Sequence, residues 1–162
     1  MMNKKFIIPE CFLETFIIKV LEYGKQDHKH GIGNVLNGLD ENYENKLGIG
    51  IIDNDRNKPT KFQNYITIKK ENNLELFKHK EKNNYLIVIN PASEKWLINI
   101  LGNEGLNITD FGLPEKLSDL TNITKNGNVY KNQGIKDLLY TLKRRNVKPF
   151  QTLTNWINEI KN

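Results

Sequence analysis

The chain has 162 residues, 38% hydrophobic and 27% charged, with 24 basic side chains against 19 acidic ones for a formal net charge of +5. That length and apolar content suit one compact domain with a buried core and exclude a disordered chain, while the absence of any apolar run near the roughly 18–20 residues of a membrane helix argues against a membrane partner. The single cysteine, Cys11, excludes an internal disulfide framework, and the mild basic excess would help a polyanionic partner approach without identifying one.

Pro9 and Glu10 cut the first apolar segment short, so the start of the chain does not read as a signal peptide and a cytoplasmic protein is expected. Residues 4–9 (KKFIIP) predict a short buried strand. Residues 11–23 predict a helix, with Phe12, Phe16, Ile17, Val20 and Leu21 at helical spacing and Gly24 as its stop. The polar stretch 25–30 (KQDHKH) reads as a turn or a very short edge strand. Ile32, Val35, Leu36 and Leu39 predict a second helix, broken at Gly38 or ending near Asn45.

Residues 47–53 form the second clear strand, apolar without alternation, as when both faces are covered. Residues 60–70 are expected to hold one or two helical turns after Pro59. Residues 74–79 and 85–90 predict two strands joined by a short polar link, hence an antiparallel hairpin. Pro91 opens a helix carrying Trp96, Leu97, Ile100 and Leu101. Three further helices are predicted over 114–120, 135–144 and 150–160. Strand–helix alternation followed by helices predicts an α/β sandwich with a mostly parallel central sheet over residues 1–105 and a helical extension over 106–162 packed on it.

In open α/β sheets the functional crevice lies beyond the carboxyl ends of the strands. The first strand ends in Glu10, and Glu14 follows four residues later on the same helical face; the second strand ends in Asp53 and Asp55. If the two strands are parallel neighbours, these carboxylates converge at one mouth. A hard divalent cation, Mg²⁺ or Mn²⁺, would relieve their mutual repulsion and leave room for substrate phosphates. Residues i and i+2 of a strand point the same way, so Asp53 and Asp55 can share an ion. The plainer alternative stays open: D-x-D is common in turns, where aspartates cap backbone groups.

Strand–Glu10–x₃–Glu14 followed by strand–Asp53–x–Asp55 resembles the Toprim domain of topoisomerases, primases, small recombination proteins and nucleases of the overcoming-lysogenisation-defect type. The resemblance covers roughly residues 4–101. It implies a Toprim-like Rossmannoid sandwich in which Glu10 acts as general acid or base and Asp53 and Asp55 hold Mg²⁺. Residues 85–96 (YLIVINPASEKW) are similar to a segment of nuclease-type members and imply Glu94 as a further ligand. Two positions depart from the family pattern: Cys11 stands where it usually has Gly, and Glu14 where it usually has Asp.

Among the remaining residues, Lys78 and Lys80 would neutralise phosphate charge if they lie near the acidic mouth. His28, His30 and His79 lack a full zinc ligand set and read as solvated loop residues. Trp96 and Trp156 sit at core spacing, as packing residues rather than base-stacking platforms. The leading expectation is Mg²⁺- or Mn²⁺-dependent cleavage or transfer of phosphodiesters in nucleic acid, with Glu14 orienting metal-bound water. A non-catalytic Toprim-like module binding a protein or nucleic acid, and a haloacid-dehalogenase-like phosphatase with Asp53 as nucleophile, are the alternatives.

Overall fold

The structure is a computed structural model that describes residues 5–24, 26–54 and 57–162. Among them, five strands form one mixed sheet in the order β1-β2-β5-β4-β3. The strands are β1 (Ile7–Pro9), β2 (Gly48–Asp53), β3 (Tyr65–Glu71), β4 (Leu74–His79) and β5 (Asn84–Ile89). β1, β2 and β5 run parallel, whereas β4 is antiparallel to both β5 and β3. The expected hairpin of β4 and β5 is present. The helical turn expected after Pro59 is present as a 3₁₀ segment, Thr60–Asn64, and it leads straight into β3, a strand not among those expected from the sequence.

The helices are α1 (Phe12–Val20), α2 (Ile32–Asn42), α3 (Ser93–Asn103), α4 (Leu117–Thr124), α5 (Gln133–Arg144) and α6 (Lys148–Lys161). They cover both faces of the sheet. Ile49 and Ile51 of β2 face a large core shared with α1, α3, α5 and α6, whereas Ile52 joins a smaller core with α2. Double coverage explains why β2 and β5 are near-continuously apolar. The extension is an integral part of the larger core: Leu138, Leu139, Leu153 and Ile157 are fully buried there with Leu13 of α1. Trp96 and Trp156 are buried as expected, and the Trp96 ring stacks on Phe150 at 5.7 Å.

On the α2 face β2 presents glycine. A Cβ at Gly50 would sit 2.7 Å from both Leu86 and Val35, and one at Gly48 would meet Tyr43 at 2.8 Å. Closer approach of α2 to the sheet is thus what these two positions provide. Of the two readings of KQDHKH, a turn or a very short edge strand, residues 26–30 do not form the strand. Lys29 N–H donates to Pro9 O (2.9 Å) and the buried Gln26 side chain accepts from Ile7 N–H (3.3 Å), so this segment satisfies the outer edge of β1 without forming a strand. No helix among the described residues is long and apolar enough to cross a membrane.

Candidate metal centre

The parallel pairing of β1 with β2 decides the geometry. The ladder continues past β1, with Glu10 N–H donating to Ile51 O at 2.9 Å, and past β2, with Asn54 N–H donating to Ile89 O at 3.0 Å. Glu10 and Asp53 therefore leave adjacent strands at the same end of the sheet. Asp53 shares the parity of Ile49 and Ile51 and points to the face covered by α1 and α3. Both helices begin at this end, directly after β1 and β5, so their positive N-termini flank the acids.

Each acid is held differently. Glu10 Oε2 accepts from Asp53 N–H at 2.7 Å, tying the two strand ends together. Asp53 Oδ1 accepts from the N–H (3.0 Å) and the hydroxyl (2.9 Å) of Ser93, and so caps the start of α3. Glu14, in the first turn of α1, is only 1% exposed; its Oε2 accepts the Cys11 thiol hydrogen, while the buried Oε1 has no hydrogen-bond partner. One ligand oxygen from each of Glu10, Glu14 and Asp53 lies within 4.8 Å of the others.

Burial, reinforced by the neighbouring Asp53 charge, pushes the Glu14 carboxyl well above its ordinary range. Burial also raises Asp53, with the Glu94 charge acting in the same direction against the hydrogen bonds from Ser93. Burial thus favours the uncharged form of Glu14 and of Asp53 unless a cation neutralises the cluster. Three crowded carboxylates, one of them with a buried oxygen left without a partner, form a donor set that fits a hard divalent cation.

Glu10 and Asp53 line a cavity of about 670 Å³ together with residues from several segments, while the buried Glu14 is not part of its wall. Glu94 lines the cavity but stands outside the three-acid cluster, and its Oε1 accepts from Thr124 Oγ1 at 2.6 Å. Asp55 lies outside the described residues. Lys78 and Lys80 are not brought to the mouth. β4 runs against β5, so the end of β4 sits at the opposite edge of the sheet, where Lys78 pairs with Tyr85 and its ammonium lies 5.7 Å from that ring. Lys80 follows at the same edge, its N–H donating to Asn64 O. His79 is there too, accepting the N–H groups of Glu81 and Lys82 at 3.1 Å each.

The cations that do line the cavity are Lys95, beside Glu94 on α3, and Lys125, just past α4. Sequence reasoning passed over both. Lys95 adjoined a residue already singled out, but the predicted end of α4 at 120 hid Lys125; the helix runs one turn later, to Thr124. Ser93 carried a readable signal, a hydroxyl at a helix start just after a strand. His30 is exposed at the cavity, its Nε2 3.2 Å from that of the half-buried His28, and both rings contact Phe12. No family model, curated protein or solved structure matches the chain.

Proposed function

We propose that the chain binds Mg²⁺ or Mn²⁺ through Glu10, Glu14 and Asp53, with Asp55 and Glu94 as further acidic groups, and cleaves or transfers phosphodiesters in nucleic acid as a small Toprim-like protein. The observation that carries this reading is Glu14, buried, with one carboxylate oxygen within 4.8 Å of an oxygen of Glu10 and of Asp53 and with its Oε1 unpartnered. A neutral partner would have satisfied that atom; a cation satisfies it and discharges the cluster at once.

The bound ion supplies Lewis-acid stabilisation of phosphoryl oxygens. The rest falls to the chain's own residues. Glu10, half-exposed at the cavity wall, is placed to move a proton at the reacting oxygen. Lys95 and Lys125 offset charge on the phosphate from outside the acid cluster. Ser93 is a positioning residue, since its two hydrogen bonds fix the rotamer of Asp53. The cavity is partly open to solvent, so a polymer strand can enter it.

A non-catalytic binding module is favoured by one feature: the Cys11 thiol occupies Glu14 Oε2, an oxygen a catalytic site would give to metal or water. In the phosphatase reading, with Asp53 as nucleophile, attack would fall to Oδ2, since Oδ1 accepts two hydrogens from Ser93. Calorimetry with Mn²⁺ and cleavage of a labelled oligonucleotide test the proposal together. Wild type should bind Mn²⁺ and cleave, and Asp53→Asn, which keeps an acceptor for Ser93, should lose at least tenfold in both. Mn²⁺ binding without cleavage would favour the binding module. Absence of Mn²⁺ binding at millimolar concentration would overturn the metal centre itself.

A further inference from the structure

A second cavity of about 480 Å³ lies on the other side of the Phe12 ring, between α1, the segment 26–30 and the turn at Tyr130. Phe12 lines both cavities. We propose that this second cavity receives a nucleobase of the nucleic acid whose phosphate faces Glu10 and Asp53, with Phe12, His28 and Tyr130 as its stacking wall. The inference rests on the function proposed above and adds where a base is held.

Three observations carry it. First, the walls are ring-rich without being core: Phe12, His28 and Tyr130 are all half-buried, whereas Trp96, Phe150 and Trp156 are fully packed. Their rings contact one another edge-on or tilted, Phe12 to His28 at 4.4 Å and Phe12 to Tyr130 at 6.2 Å, so they outline a space instead of filling it. Second, the remaining edge is polar, with Lys19 and Asp27 offering a donor and an acceptor. A flat ligand with apolar faces and a hydrogen-bonding rim matches that mixture, and every nucleobase has this form. Third, the two cavities are separated by one side chain. Phosphate and base of one nucleotide, or of neighbouring nucleotides, are likewise separated by a single sugar, so one strand can occupy both. An aliphatic ligand would leave the polar rim unpaired, and an anion would meet Lys19, the one lysine lining the cavity among the described residues, beside an Asp27 carboxylate that already pairs with Lys5 at 2.8 Å.

The test uses the full chain and a short single-stranded oligonucleotide, with Ca²⁺ replacing Mg²⁺ to hold the complex without turnover. Tyr130→Leu keeps apolar volume and removes the π-face; His28→Ala, in a loop, is the second variant should the first fold poorly. Each should weaken binding by about 5- to 100-fold, the range of one base–aromatic stack. Their Mn²⁺ affinity should match that of wild type. An abasic nucleotide walked along the strand should cost wild type the same factor at one position, and cost Tyr130→Leu nothing more there. Metal-dependent binding that is indifferent to both variants and to every abasic position would overturn the base site and leave the metal centre standing. Mn²⁺ binding by wild type with no oligonucleotide affinity would overturn both the base site and the nucleic-acid function.

Discussion

At the scale of single residues, Glu14 is the most informative side chain in the molecule. A carboxyl this deeply buried destabilises the fold when ionised, and only its proton or a cation removes that cost. Glu14→Gln removes the charge and keeps the shape. The metal-free variant should therefore melt at or above the wild-type temperature at pH 8, while the temperature gain that Mn²⁺ gives wild type disappears. A metal-free loss of several degrees would instead assign Glu14 a purely structural part. The sequence offered Glu14 only as the fourth residue after Glu10 on one helical face; its burial depends on α1 packing back onto the sheet, which spacing alone does not report. The same limit hid Lys125, whose place at the cavity depends on how α4 lies against α3. Lys78 and Lys80 were misplaced for another reason. Their strand was correctly located, but its direction sends them to the far edge.

At the scale of elements, β2 is where sequence and packing meet. Its alternating glycines look like weakness in a strand, yet they are the positions over which α2 settles, and the isoleucines between them fill the opposite core. Gly50→Ala should cost about 1–3 kcal/mol of stability, the usual range for overpacking a tight contact, because its new methyl would press on Val35 and Leu86. Urea unfolding measures this, and a change below about 0.5 kcal/mol, the scale of a neutral surface substitution, would show that α2 can simply move away. The helices and the parallel strands were legible from apolar runs and spacing. β3 was not, because its outward Ile66 and Ile68 and its lysines blur the alternation at a sheet edge. A readable cue existed all the same: Asn72 and Asn73, both at positive φ, form the two-residue turn that closes β3 against β4.

At the scale of the whole molecule, the acid cluster links stability to pH. Glu14 and Asp53 are both raised above their ordinary values, so the folded chain binds more protons than the unfolded chain between the ordinary carboxylate range and the raised one. Stability contributed by these groups is fully present below that window and falls as pH rises through it. A cation that replaces the proton reverses the trend. The melting-temperature gain from saturating Mn²⁺ should accordingly be larger at pH 8 than at pH 6 in differential scanning fluorimetry, and an equal gain at both would detach the metal from these two acids. The extension enters the same account, since residues 106–162 carry nine basic and five acidic side chains and so hold most of the net positive charge.

Leu117, Thr121 and Lys125 put one flank of the mouth on α4, while every acid in it comes from residues before 105. A shorter chain ending after α3 would keep Glu10, Glu14 and Asp53 but lose that flank, Lys125 and the apolar cover that the extension gives the larger core, so the acids and the wall facing them stand or fall as one fold.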